Sequence, residues 1–199
     1  MKKFFSILLA ASLMLLGTQA FAQMSVNAGY LNSTLASKNS SANANGAYAG
    51  VSFNIPVAGG LGIAPGVYYS MITGKTLDLG SIATGTLTEH AINVPVYVNY
   101  GFGLSRDTKF FIFGGPTVQY GLASSTKLSS GLIDGSVSGD NYKDSDYNRL
   151  NVYLGGGLGF QVAAIQITVG YDYGMMDQYK DDNREAHRSN LKLGVGFCF

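Results

Sequence analysis

The chain has 199 residues, among them 27 glycines, four prolines and a single cysteine, Cys198. Thirteen cationic and 12 acidic side chains leave a formal charge of +1, without the basic surplus that nucleic-acid binding needs. One cysteine excludes an internal disulfide framework, and no apolar run beyond the N-terminal segment reaches helix-spanning length.

Lys2 and Lys3 precede an almost unbroken apolar run over residues 4–16, and Ala20, Phe21 and Ala22 fit a small-x-small cleavage rule. Residues 1–22 therefore read as a cleavable signal peptide, cut between Ala22 and Gln23. A run of about thirteen residues is short for an anchor, which needs ~20. Gln23 and not a cysteine stands directly after the cut, so a lipoprotein is not expected. Loss of this segment leaves 177 residues, enough for one domain, and a formal charge of −1.

From residue 23 onward the dominant signal is a period of two, the spacing at which strand side chains return to one face. The first segment, residues 25–31, sets Val26, Ala28 and Tyr30 on one face. The second, 47–55, presents Ala49, Val51, Phe53 and Ile55; the third, 61–72, presents Leu61, Ile63, Pro65, Val67, Tyr69 and Met71. The fourth, 89–100, opposes Ile92, Val94, Val96, Val98 and Tyr100 to Ala91, Asn93, Pro95, Tyr97 and Asn99. The fifth, 109–120, is apolar on both sides at 110–113; Phe110, Ile112, Pro116, Val118 and Tyr120 are taken as outward, with Thr117 and Gln119 inward.

The sixth segment, 150–162, alternates Val152, Leu154, Leu158, Phe160 and Val162 with Asn151, Tyr153, Gly155, Gly157, Gly159 and Gln161. The seventh, 164–174, alternates Ile165, Ile167, Val169, Tyr171 and Tyr173 with Gln166, Thr168, Gly170 and Asp172. The last alternates Leu191, Leu193, Val195, Phe197 and Phe199 with Lys192, Gly194, Gly196 and Cys198. Prolines inside the third, fourth and fifth segments count against regular strands, because each removes a ladder donor; local bulges would absorb them.

Eight such segments predict an all-β chain, an eight-stranded antiparallel transmembrane up-and-down β-barrel filling residues 23–199. The second face carries Asn93, Asn99, Gln119, Asn151, Gln161, Gln166, Asp172 and Lys192, which suits a hydrated interior and not an oily ligand pocket. The apolar face must then meet lipid, where a sheet has to close on itself because unpaired amides are costly there. Eight strands leave an interior that side chains fill, so no diffusion pore is expected.

Short connections (56–60, 101–108, 163) alternate with long polar ones (32–46, 73–88, 121–149, 175–188). Short turns belong to the periplasmic side of outer-membrane barrels, which puts both termini in the periplasm of a Gram-negative cell. Tyr69, Tyr100, Tyr120, Tyr171 and Tyr173, with Phe53, Phe160, Phe197 and Phe199, then form aromatic girdles at headgroup level. Inside, Asp172 and Lys192 are expected to pair across a hairpin whose register sums to 364, and Glu89 and Arg149 to join a similar network near the external rim. Cys198 reads as an inert interior thiol.

Two stretches resemble a known family. Residues 90–100 (His-Ala-Ile-Asn-Val-Pro-Val-Tyr-Val-Asn-Tyr) and 110–120, with Gly114, Gly115 and Pro116, are similar to the outer-membrane β-barrel domain common in Bacteroidetes, often labelled porin-family or PorT-like. Residues 155–160, 171–174 and 191–199 share the likeness. The resemblance implies that Leu191, Leu193, Val195, Phe197 and Phe199 act as the signal read by barrel-assembly machinery. It also implies location better than activity, since some relatives serve protein secretion or gliding.

Other motifs carry less. Glycines 155–157 and 159 lack the Lys-Ser/Thr ending of a phosphate loop and read as room for bulky interior neighbours such as Tyr68 or Tyr97. Asp144, Asp146 and Asn148 open like a calcium loop, but Arg149 stands where the sixth-position glycine belongs and Gly155 where the glutamate belongs. Asp177, Asp181, Asp182 and Glu185 beside Lys180, Arg184 and Arg188 read as a mixed-charge external loop. His90 and His187 read as rim histidines. No nucleophile has an evident His–acid pair, so neither catalysis nor a cofactor is expected. The expected role is envelope structure or surface interaction through the long loops. The alternative is an accessory barrel of a secretion or transport assembly, and an outer-membrane enzyme is the remotest reading.

Overall fold

A computed structural model describes residues 23–37, 40–78, 83–105, 107–130, 133–140, 148–177 and 186–199. The expected signal peptide lies outside the described residues. The strands are β1 (Gln23–Ser37), β2 (Ser40–Ala58), β3 (Leu61–Asp78), β4 (Ala83–Gly103), β5 (Thr108–Ser130), β6 (Ile133–Asp140), β7 (Leu150–Val162), β8 (Ile165–Gly174) and β9 (Ala186–Cys198). Eight of them close an antiparallel barrel: each pairs with the next, β9 pairs with β1, and β4 pairs with β5. The short β6 pairs with residues 125–130 of β5, above the stretch of β5 that β7 occupies, and so extends the wall beyond the barrel.

The register fixes the barrel's shape. Moving sideways from Tyr100 through directly paired residues (Ile112, Leu158, Val169, Leu193, Tyr30, Ala47, Met71) returns to β4 at His90, ten residues away. That stagger tilts the strands by roughly 40°, so each residue climbs about 2.5 Å along the barrel axis. The outward apolar run on β4, from Ile92 to Phe102, then covers roughly 25 Å of height, the band expected of a membrane barrel.

Burial is inverted relative to a soluble domain. On β7, Tyr153 is 1% exposed while its neighbour Leu154 is 55% exposed. Buried side chains include Asn27, Thr117, Gln119, Asn151, Gln161, Asp172 and Asn190, whereas most large aliphatic side chains of the barrel strands face out, Leu31 and Ile72 being buried exceptions. Such a chain cannot lower its free energy in water by folding this way, because at ~25 cal/mol per Å2 the exposed apolar band is a large penalty. Hydrocarbon removes that penalty and in exchange demands that every backbone group be paired, which closure provides.

The three interior prolines are tolerated by a device the sequence pattern does not reveal. Pro65, Pro95 and Pro116 each sit at a short interruption of the ladder, and the register is the same on either side. No bulge is needed there, contrary to expectation; the register shifts lie instead at Pro56/Ala58, Lys75/Leu77, His90/Ala91 and Ser129/Ser130.

The strands also run further than expected at one end. Much of what reads as loop at 32–46, 73–88 and 121–140 is continued hairpin, for example Ser37 opposite Ser40 and Asp78 opposite Thr84. At the other end the connections are tight: Gly59 and Gly60, at φ +56° and +87°, turn β2 into β3. Ala163, at φ +50°, turns β7 into β8. The two rims are called the hairpin end and the turn end below.

Candidate functional site

The interior is a stack of polar cross-links. Asp172 on β8 lies opposite Asn190, and Lys192 on β9 lies opposite Gly170, so the register sums to 362 and not 364. The two still form an ion pair through a diagonal reach, Lys192 Nζ to Asp172 Oδ2. Tyr97 joins them from β4, on the far side of the barrel. Lys192 Nζ donates to its hydroxyl oxygen at 3.4 Å, and that hydroxyl lies 3.4 Å from Asp172 Oδ1 and 3.1 Å from Thr117 Oγ1. The wall gives way where the carboxylate sits, since a Cβ at Gly155 would overlap Asp172 Oδ1.

Nearer the hairpin end a second pair spans the lumen. Arg188 on β9 donates to both oxygens of Glu89 on β4, at 2.6 and 3.0 Å, and each side chain is 3% exposed. Strands β4 and β9 are four places apart in either direction around the barrel, so this fork is a bar across its full width. The partner expected for Glu89 was Arg149. Arg149 instead sits just before β7, where its carbonyl accepts from the Gly121 N–H at 2.7 Å. In the sequence Arg188 reads as loop, because the apolar alternation stops at Leu191. Yet β9 continues to Ala186, and Ala186, Arg188 and Asn190 all turn inward.

Between and below these pairs the amides link strand to strand. Tyr153 donates to Gln119 (2.9 Å), Gln119 to Asn93 (2.9 Å), and Asn93 to Ser70 (2.8 Å), crossing from β7 to β3. Asn99 donates to Asn54 at 2.8 Å, and the Gln166 amide donates to Asn27. The glycines expected to make room for Tyr68 or Tyr97 do so for other groups: Gly157 for the Phe113 ring and Gly159 for the Phe111 ring.

The lumen is not filled throughout, which corrects the expectation of a packed interior. A cavity of about 460 Å3 runs from the turn end, at Gly60, Gly101 and Lys109, up to Ser70, Gln119 and Asn190. Tyr153 and the Glu89–Arg188 bar are not part of its lining and lie beyond it toward the hairpin end. Cys198 faces this cavity and is buried.

On the outer face the aromatic side chains fall into two rings. Tyr30, Tyr69, Tyr120, Tyr171 and Tyr173 lie toward the hairpin end; Tyr100, Phe102, Phe160, Phe197 and Phe199 lie toward the turn end, and all ten are exposed. His90 stacks on Tyr69 with centroids 6.0 Å apart, and His187 on Tyr173 at 5.7 Å. The histidines stand on opposite sides of the barrel and cannot share a metal; among the described residues no His/Cys/Asp/Glu cluster is placed to hold one. The calcium-like residues Asp144 and Asp146, and the loop charges Lys180, Asp181, Asp182, Arg184 and Glu185, lie outside the described residues. Leu191, Leu193, Val195 and Phe197 point outward along β9, the strand that closes on β1, and Phe199, one residue past its end, is also exposed.

The model of the outer membrane protein beta-barrel domain family matches residues 18–180 of this sequence. The chain belongs to that family. Its place is accordingly the outer membrane of a Gram-negative cell. The structure of Ail, the attachment invasion locus protein of Yersinia pestis, solved with the heparin analogue sucrose octasulfate, aligns at a TM-score of 0.55 and 14% identity, covering 90% of this chain and 99% of Ail. Neisserial surface protein A aligns at 0.50 and 16% identity, covering 88% and 97%. The outer membrane enzyme PagL aligns at 0.48 and 13% identity, covering 88% and 98%. No curated protein matches the sequence. At these identities the likeness extends to the fold alone.

Proposed function

We propose that this barrel is a non-enzymatic anchor that holds stiff β-hairpins outside the cell as an interaction surface, with both termini in the periplasm. The observation that carries the reading is the asymmetry of the rims. At the hairpin end, β1 to β5 run on past the tyrosine ring with outward polar side chains, including Asn32 bonded to Asn45 (2.8 Å) and Thr34 bonded to Asn43 (2.7 Å). At the turn end the wall stops within a few residues of the phenylalanine ring. Water suits the first rim and a thin polar boundary the second. The two rings then serve as headgroup girdles, and the outward β9 stripe as the assembly signal.

Ail was solved with a polysulfated saccharide. The hairpin faces here favour a different partner: of the described outward side chains above the tyrosines on β1 to β4, Lys75 alone carries a fixed charge. An uncharged, hydrogen-bonding surface partner fits better than a polyanion. The cross-braced upper lumen argues against a transport role for this barrel by itself.

Orientation is tested by labelling intact cells with a membrane-impermeant maleimide. Ser41→Cys, on the β1–β2 hairpin, is expected to react, and Val57→Cys, beside the Gly59 turn, to react only after lysis. Labelling of Val57→Cys in intact cells would overturn the assignment. Replacing residues 34–43 by a two-residue turn is expected to leave a heat-modifiable barrel but to abolish crosslinks to surface partners; crosslinks only to a secretion assembly through the turn end would favour the accessory-component reading.

A further inference from the structure

We propose that the open lower half of the lumen is a binding site for a short neutral saccharide, entered from the turn end. Its volume of about 460 Å3 lies within the ~300–1,000 Å3 of ordinary small-molecule sites. More telling is the division of its wall. A purely hydrated lumen has no use for phenylalanine, yet Phe111 and Phe113 both turn inward, partly exposed, and line the cavity.

Those rings lie against the wall and do not block the space. The tip of Phe111 sits over Gly159 and that of Phe113 over Gly157 and Gly170, positions where any Cβ would crowd the ring. Tyr97 continues the same surface, 5.2 Å from Phe113 between centroids, and Phe111 follows at 6.2 Å. The result is a cluster of aromatic groups presented to the lumen from β4 and β5. Across from it stand amides and hydroxyls from the other strands: Asn27, Asn54, Ser52 and Gln166. A pyranose ring has the matching anatomy, with a C–H face that stacks on an aromatic ring and an equatorial belt of hydroxyls that amides bind.

Charge narrows the class. Among the described lining residues, Lys109, Asp172 and Lys192 are the charged ones, and the last two already form an ion pair. The Lys192 side chain nonetheless keeps 24% of its surface exposed, so the roof of the cavity offers a donor without a net field. The lining therefore carries a net charge of only +1, from Lys109, and a polysulfated ligand would leave most of its charge uncompensated in a narrow lumen. A neutral one- or two-ring sugar, with or without N-acetyl groups, would not. Closure above by Tyr153 and the Glu89–Arg188 bar makes the site blind, so it holds its ligand without passing it through.

The experiment uses the mature protein refolded in an amine-oxide detergent, because sugar-headed detergents would compete. The probes are N,N′-diacetylchitobiose and cellobiose. The chain has 13 tyrosines and no tryptophan, so its fluorescence reports Tyr48, Tyr68 and Tyr97 in the cavity against the outer tyrosines. Saturable binding at millimolar level is expected for at least one probe, corresponding to about −4 kcal/mol. Phe113→Leu, which keeps bulk and loses the ring face, is expected to weaken it about threefold to tenfold, and Tyr69→Leu on the outer face to leave it unchanged. Asn54→Ala serves the same purpose should Phe113→Leu fail the heat-shift test of folding. A cavity occupied by water alone would give no saturation with either probe, or a signal equal in all variants, and either result overturns the proposal.

Discussion

Removing the arginine of the Glu89–Arg188 bar tests the cross-braced interior directly. Arg188→Met keeps a long apolar stem but strands the Glu89 carboxylate at 3% exposure, deprived of two charge-assisted hydrogen bonds. An exposed pair of the same type contributes at most about 1 kcal/mol, whereas breaking a buried one costs about 3–5 kcal/mol because the survivor stays desolvated. The bar joins opposite walls and not neighbours, so the loss is not made good by adjacent ladder bonds. The expected destabilisation is therefore about 3 kcal/mol or more, measured by urea titration of the refolded protein in lipid vesicles, with the heat-shift of the folded band as the readout. Glu89→Gln combined with Arg188→Met removes the stranded charge and is expected to recover most of the loss, a coupling that a double-mutant cycle reads directly. In planar bilayers the single variant is expected to pass brief, small currents absent from the parent. An Arg188→Met cost under about 1 kcal/mol would refute the buried cross-brace and reduce the pair to a rim contact.

Val169 lies near the middle of the apolar band and points into lipid, so Val169→Arg is expected to cost about 2–4 kcal/mol in the same titration; the same change at Thr34 on the hairpin is expected to be nearly neutral. Ala163 holds a left-handed turn at φ +50°, and Ala163→Gly is expected to gain up to about 1 kcal/mol, visible as a higher urea midpoint. A loss at that site would mean the turn is not left-handed in the membrane.

The period-two pattern made the faces legible residue by residue. For the fifth strand it was ambiguous, and the outward choice of Ile112, Val118 and Tyr120 matches the structure because Thr117 and Gln119 are buried. The Asp172–Lys192 pair was legible for a coarser reason than register: both face inward on neighbouring strands, and a lysine is long enough to reach two residues along. Arg188 was not legible. Above the bilayer the outward face meets water, so it carries serine and histidine where an apolar marker would be needed to reveal a strand.

What the amino-acid sequence determined alone was which side chains face lipid, because burial in hydrocarbon acts on each strand separately and leaves its mark every second residue. What only the tertiary structure decided was who meets whom inside. The ten-residue stagger of the closed barrel sets the height at which β4 stands opposite β9, and it is closure, a property of all eight strands together, that brings Glu89 to Arg188, carries Tyr97 to Lys192 and leaves open space beside Phe113.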